Sequence, residues 1–430
     1  MGYSFGWIKR FFPLFVAVLF LCVSQAAVWA GELQLQDLID EALQASPEIQ
    51  ASRAKAAASG FRVPQTMSLP DPMVMAGYQN VVTNRFTFNE MSDSQFMFSA
   101  SQQFFFPGKR ALKGEAAARE EESLSASSQA VRLRTIATIK ELYSDLFLAY
   151  QSMDLIQEKG VILRKLEDAA LARYAAGGGM QQEVLMAQTE KYMLLEREEM
   201  LKQKIQTLEA VLNSTVGREQ AAPLDRPVAP VFSPYSQALP ELIGAAYENS
   251  PEVKAREKMV AALDAKVRVA EREYYPDITV TGNYGLKGQT FDDMWSLTTT
   301  VNVPLYYTTK QQPAIQEAKA SLTEAKSELQ AVRLRLSSAI RENYAVLQTS
   351  ERLMELYRQG FNQKTQQDFQ AALASYAVGK SDALTVISRI KTITDIETSY
   401  WGQLVEWEKA KARLEVLIGK TDPRMEEGRQ

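Results

Sequence analysis

Any chemistry in this 430-residue chain must be done without imidazole, because it contains no histidine and a single cysteine, Cys22. That removes Ser-His-Asp and Cys-His catalysis, HExxH and other His-ligated metal centres, and an imidazole switch near neutral pH. Carboxylates remain, 52 Asp and Glu against 48 Lys and Arg, for a formal charge of −4. Paired carboxylates can hydrolyse glycosides, but these lie mostly on helical faces with no visible pairing. No catalytic residue is assigned, and no enzyme is expected. The other reactive group is the thioether. Met67, Met73, Met75, Met91 and Met97 cluster in one stretch, and methionine ligates copper or silver ions but serves equally as apolar filler. No cofactor or metal site follows from them. The near-neutral balance also speaks against a nucleic-acid partner.

The elements that hold these residues begin after a leader. Lys9 and Arg10 precede the apolar run Phe11–Val23, and Val28-Trp29-Ala30 offers a small-residue cleavage site, the pattern of a secretory signal peptide over residues 1–30. A lipoprotein anchored on Cys22 is the alternative, with Leu21 standing where a small residue is needed. Cleavage after Ala30 leaves no cysteine, so disulfides cannot contribute and stability rests on packing and assembly. It also removes Lys9 and Arg10 but no carboxylate, moving the charge from −4 to −6. No apolar run after Gly31 approaches the roughly 18 residues of a spanning helix. Entry into a membrane would have to be by strands.

Internal repetition organises the rest. Ser46-Pro47-Glu48 recurs as Ser250-Pro251-Glu252, and Val131-Arg132-Leu133-Arg134 as Val332-Arg333-Leu334-Arg335, at separations of 204 and 201 residues. Glu141 and Tyr143 match Glu342 and Tyr344, and Tyr174 and Tyr376 each precede a glycine turn. The chain therefore reads as two copies of one unit, 31–220 and 241–420, joined by a linker at 221–240 and followed by a tail at 421–430. Each unit opens with an interrupted helix, about Leu35–Val63 and Ala238–Glu273. The Ser-Pro-Glu restarts it, serine suiting the N-cap and proline the first turn.

Two strand-like segments follow in each unit, and the period switches to two. Ile278, Val280, Gly282, Tyr284 and Leu286 alternate with Thr279, Thr281 and Asn283, and Trp295, Leu297, Thr299, Val301, Val303 and Leu305 with Ser296, Thr298 and Thr300. Phe96, Phe98, Ala100, Phe104 and Phe106 do the same in unit one, where the earlier strand, about Pro72–Val82, is less regular. About ten residues is the length of a tilted membrane strand. Tyr78, Phe86, Phe88, Tyr284, Phe291 and Trp295 lie towards the loop ends, and Phe104, Phe106, Tyr274, Tyr275, Tyr306 and Tyr307 towards the opposite ends, as two aromatic girdles would. A soluble sandwich also alternates, but two hairpins make a poor one. Gly108–Ala176 has no proline and Lys310–Ala377 only Pro313. Each reads as one helix of roughly 100 Å, returning after a glycine break through Gln181–Asn213 and Asp382–Ile418. Four strands cannot close a spanning barrel, so several copies must share one.

In this order of elements the chain resembles the TolC family of outer-membrane efflux factors over essentially the whole mature length. The duplicated unit, the two Ser-Pro-Glu sites, Pro107-Gly108-Lys109-Arg110 and the Tyr-x-x-Gly turns carry the resemblance. It implies an α+β fold of mostly long helices, with four transmembrane strands per chain. Three chains would give a twelve-stranded barrel continued by a helical periplasmic barrel. It further implies a homotrimer in outer-membrane lipid that serves as a passive exit duct for an inner-membrane pump and a periplasmic adaptor. Tyr174, Gly177, Gly178, Gly179, Tyr376 and Gly379 would form the adaptor-contact tip, with the glycines in left-handed helix caps. Glu183 and Asp382, starting the return helices, would ring the periplasmic gate, or simply favour the helix dipole. Tyr174 to Glu183 spans nine residues and Tyr376 to Asp382 six, which makes unit two three residues shorter there. Lys109 and Arg110, a cation pair at a helix start, suggest a headgroup or lumen contact. Leu69-Pro70-Asp71-Pro72 and Phe106-Pro107-Gly108-Lys109 look similar to members accompanying heavy-metal pumps. The alternatives are a periplasmic coiled-coil adaptor or scaffold, and a type I secretion exit duct.

Overall fold

The computed structural model describes residues 32–81 and 91–420. The expected leader and tail, and Phe86 and Phe88, lie outside them. Helices Leu35–Ala45 (α1), Pro47–Gly60 (α2) and Arg62–Met67 (α3) lead into strands Met73–Gln79 (β1) and Gln95–Phe104 (β2), the long helix Lys109–Ala175 (α4) and the return helix Gln181–Val216 (α5). The same order recurs as helices Leu239–Asn249 (α6) and Pro251–Arg272 (α7), then strands Asp277–Leu286 (β3) and Met294–Asn302 (β4). Helix Gln311–Leu356 (α8) passes through a π-helical turn, Tyr357–Phe361, into Asn362–Ala377 (α9), and Ala383–Leu417 (α10) returns. β4 stops short of the expected Leu305, because Pro304 cannot donate to a ladder and the Leu305 amide turns back to Val303 O at 2.9 Å.

Each long helix is flanked by shorter ones, α4 by α1, α2 and α5, and α8 by α6, α7 and α10, and each return helix ends against the joint between the two helices that open its half. The joints explain both Ser-Pro-Glu sites. Ser46 and Ser250 occupy the N-cap positions as expected, yet neither side chain makes a capping bond, and both are buried. What fills the joint is the end of the return helix. Gly217 sits there with φ 103°, and a Cβ on it would lie 2.6 Å from Ala45 O; Gly419, with φ 68°, meets Asn249 in the same way. Only glycine combines the left-handed turn with this approach.

The π turn accounts for a change of spacing between the halves. Met153 and Met354, both buried, are 201 residues apart, whereas the buried pairs Leu163 and Thr365, and Ala170 and Ala372, are 202 apart. One residue has therefore been added between Met354 and Thr365, and the π turn holds it without rotating the helix beyond, as such turns do. The sequence alone suggested a single unbroken helix here.

Three apolar clusters hold the helices. Leu38 and Ile39 pack on Ile139, Leu146 and Leu212 at the waist of the first half. Leu242 and Val253 pack on Ile340, Leu347 and Trp407 in the second. Near the helix turns, Leu163 and Leu166 meet Phe369, Tyr376 and Ile387. α4 is shared by both halves, since α10 lies along it with Arg413 to Glu141 at 2.7 Å and Lys409 to Asp145 at 3.1 Å, and α7 with Arg268 to Glu115 at 2.8 Å. The irregular linker crosses from one half to the other. It carries Arg226, whose carbonyl accepts from the Leu33 amide at 2.9 Å, and Tyr235, whose amide donates to Glu351 at 3.1 Å.

Candidate functional site

At one end the four strands form an antiparallel sheet in the order β1-β2-β3-β4, leaving one edge of β1 and one of β4 without a partner in the chain. The register sorts the side chains by chemistry. Ser99, Asn283 and Ser296 are level neighbours on one face, as are Ser101, Thr281 and Thr298 one step along. The other face carries Val74, Phe98, Ala100, Val280, Tyr284, Trp295, Leu297 and Val301. Every sheet methionine, Met73, Met75, Met97 and Met294, falls on the polar face. No core lies behind the apolar face. β4 is exposed along its whole length, and Trp295 is 78% and Val74 77% exposed. A soluble sheet hides such a face.

The aromatics gather at the two ends of the strands. Tyr78 pairs with Phe96 and Tyr284 with Trp295 at the loop end. At the helix end are Phe104, opposite Ile278, the stacked rings of Phe106 and Tyr275 at 4.5 Å, and the exposed Tyr306.

Where the sheet meets the helices, Lys109 departs from expectation. It is no exposed headgroup contact but 1% exposed, its Nζ 2.9 Å from Asp277 Oδ1 and 3.2 Å from Glu273 Oε2, and donating to Tyr275 O at 2.9 Å. Asp277 Oδ1 also accepts from the Phe106 amide at 2.9 Å. A buried ammonium needs such paired partners, and this one ties the exit of β2 to the entrance of β3. Arg110 donates to Met67 O at 2.7 Å. The strand pairing decides these contacts, so reading along the chain missed them.

At the far end the long helices close with matching turns. Gly178 donates to Arg173 O and Gly177 to Tyr174 O, while Lys380 donates to Ser375 O and Gly379 to Tyr376 O, the 6→1 and 5→2 bonds of a Schellman cap. Gly177 and Gly379, with φ 73° and 75°, take the left-handed position; Gly178 and Gly179 do not. A Cβ on Gly179 would lie 3.1 Å from the Arg173 Cβ.

The return helices begin at Gln181 and Ala383, so the two turns are equal in length. The expected three-residue shortening is absent, because Glu183 and Asp382 are not matching positions. Asp382 is the N-cap, its Oδ1 accepting from the Thr385 amide at 2.9 Å and the Thr385 hydroxyl at 2.6 Å. These bonds hold its carboxyl below the usual value. Glu183 stands three residues into its helix without a capping bond.

Glu183 instead faces the second turn. Tyr376 is 3% exposed while its match Tyr174 is 45% exposed, and Arg173, which the sequence did not single out, stacks its guanidinium 4.8 Å from the Tyr376 ring. Burial pushes the Tyr376 hydroxyl up, Glu183 adds to that, and Arg173 opposes it. Among the described residues, one polar atom on each of these three is buried without a hydrogen-bond partner: Arg173 Nη1, Glu183 Oε2 and Tyr376 Oη.

Among the described residues no group of three or more His, Cys, Asp or Glu is placed to hold a metal ion, and no helix is long and apolar enough to cross a membrane. The profile of the outer membrane efflux protein family matches residues 38–218 and again 242–420. The chain is 24% identical to the cobalt-zinc-cadmium resistance protein CzcC of Cupriavidus metallidurans, over 73% of this chain and 74% of that protein. It is 22% identical to the nickel and cobalt resistance protein CnrC of the same organism, over 74% of each. The fold is like that of the outer membrane protein VceC of Vibrio cholerae, with a TM-score of 0.76 at 19% identity, covering 90% of this chain and 96% of that one.

Proposed function

This chain belongs to the outer membrane efflux protein family, the TolC family of efflux factors, and from that membership we propose that three copies close one barrel and form a passive exit duct. As a family member it acts in the outer membrane and reaches into the periplasm as the outermost component of a tripartite efflux system. The observation that carries the finer proposal is the sheet. It has one apolar face with nothing behind it, one polar face whose single carboxylate, Asp277, is paired with Lys109, and two open edges that lipid would not tolerate. Twelve strands from three duplicated chains would satisfy every edge, with the apolar face and its aromatic ends against lipid and the polar face around the lumen. Residues 31–220 and 241–420 are then the two repeats, with 221–240 the linker between them.

The helices would continue the duct to the tip, where an adaptor docks on the turns around Tyr174, Gly177–Gly179, Tyr376 and Gly379. Glu183 and Asp382 would supply carboxylates near the entrance, favouring cations. Energy would come from the pump. The family members CzcC and CnrC are named for resistance to cobalt, zinc, cadmium and nickel, and divalent cations of this kind are the proposed cargo.

Fractionation after alkaline washing, followed by sizing of the detergent extract, tests the barrel. A membrane-retained trimer is expected, and release as a soluble monomer overturns the proposal. Growth of a strain deleted for this gene on cobalt, zinc, cadmium or nickel salts tests the cargo, with lower tolerance expected and unchanged tolerance to all four overturning it.

A further inference from the structure

Two strand exits occupy matching positions but differ in partners. At the first, Lys109 is buried and reaches the entrance of the neighbouring strand, at Asp277, Glu273 and Tyr275 O. The 201-residue spacing that matches Glu141 to Glu342 and Met153 to Met354 places Lys310 on Lys109. Lys310 stands at the start of α8, where its amide closes the turn after β4 by donating to Tyr306 O at 2.9 Å. It is exposed, makes no ion pair among the described residues, and is the only lysine or arginine in residues 288–318.

The complementary group stands at the other edge of the sheet. Pro70-Asp71 precedes β1 as Pro276-Asp277 opens β3, and Asp71 is the only carboxylate in residues 49–81. It too is exposed and has no ion pair among the described residues. Within one chain β2 and β3 separate the two edges, which lie roughly 14 Å apart at the usual strand spacing. In a ring of identical chains, however, β4 of each copy runs antiparallel beside β1 of the next, as β2 runs beside β3. Such a head-to-tail contact closes if the rotation closes.

We propose that Lys310 of one copy pairs with Asp71 of the next, repeating at the seam between copies the link that Lys109 makes to Asp277 inside each. The proposal rests on the barrel reading above and deepens it, naming a second copy as the partner and one pair of side chains as its fastening. The seam is otherwise backbone pairing between two open strand edges, which any edge could offer. The charge pair would set which edges meet and in what register.

The nearly cysteine-free sequence gives a clean test. Full-length protein carrying both Asp71→Cys and Lys310→Cys is extracted in mild detergent, treated with a short bismaleimide, and run denatured beside the two single variants. Cross-linked dimers and trimers are expected from the double variant only. In parallel, Lys310→Glu and Asp71→Lys should each lower the trimer fraction on dilution about tenfold, and the double exchange should recover most of it. A wild-type trimer whose double-cysteine variant stays uncrosslinked, or whose double exchange fails to recover, overturns this pairing and leaves the barrel standing. A wild type that is monomeric in membrane extracts overturns the barrel, and the pairing with it. Helical circular dichroism at the wild-type level in both single-cysteine variants shows that the substitutions fold.

Discussion

The two halves share one order of elements and differ at three matched places. Lys109 is buried among carboxylates, whereas Lys310 is exposed and makes no ion pair among the described residues. α4 is unbroken, whereas its match carries the π turn. Tyr174 is exposed, whereas Tyr376 lies beneath Arg173. The residue types at these places are nearly the same in both halves, so type does not set the role. Neighbours do. β2 has β3 beside it in the same chain, while one edge of β4 has none; the first helix turn covers Tyr376 on the second, while Tyr174 on the first stays 45% exposed.

The largest contrast should come from deleting one residue in each long helix. Loss of Gly160 turns everything beyond it by about 100° and takes Leu163 and Leu166 out of the core near the turns. Cooperative thermal unfolding should disappear. Loss of Gly360, inside the π turn, removes the added residue and leaves the phase on both sides intact, so the helical circular dichroism and melting midpoint should stay within a few degrees of wild type. Equal damage from both deletions would break the assignment of the extra residue to that turn.

The two junction lysines come next. Lys109→Met strands Asp277 without its buried partner, and about 3–5 kcal/mol of chain stability should be lost. Lys310→Met removes an exposed charge and should cost no more than about 1 kcal/mol of the same quantity, its effect falling on assembly. Denaturant midpoints of the two variants compare them directly.

The tip tyrosines differ by less. If the stacking of Arg173 on Tyr376 helps to hold the two turns together, Arg173→Ala or Tyr376→Leu gives up a cation–π contact worth about 0.5–2 kcal/mol. The open fraction in planar-bilayer recordings should then rise roughly two- to thirtyfold. Tyr174→Leu, on the exposed match, should leave it unchanged. A rise with Tyr174→Leu alone would reverse the roles of the two turns.

Much of the architecture was legible because long helices and alternating strands write their periods into the sequence. α4 and α5 end within three residues of expectation, and β2 and β3 within two. The faces of β2, β3 and β4 could be read from alternation alone, whereas those of the less regular β1 follow from its pairing with β2. The contacts could not. Lys109 meets Asp277 because β2 pairs with β3, and neither residue signals this along the chain. Gly217 and Gly419 look like ordinary helix ends until the stacked helices bring the Ala45 and Asn249 carbonyls against them. The π turn is one added residue in a helix-forming stretch, invisible until buried positions on both sides are matched. Glu183 and Asp382 were equated as acidic residues at helix starts, and counting from the caps showed them to stand three residues apart in register.

That last difference gives the smallest predicted effect. Asp382 caps α10, so Asp382→Ala should cost about 1 kcal/mol, and Glu183→Ala, which breaks no capping bond, should cost less. The cap also sets a pH dependence. The folded-state value of Asp382 lies below its unfolded value of 3.8, so its contribution is complete above that value and is lost as pH falls through the folded one. Asp382→Asn keeps an oxygen that can accept from the Thr385 amide but does not titrate. Its melting midpoint should lie near wild type at neutral pH and lose less between pH 5 and pH 2. A pore whose cation preference falls with Asp382→Asn, at unchanged stability, would instead place this carboxylate in the permeation path, and the same measurement on Glu183→Gln would show whether both turns contribute to it or only one.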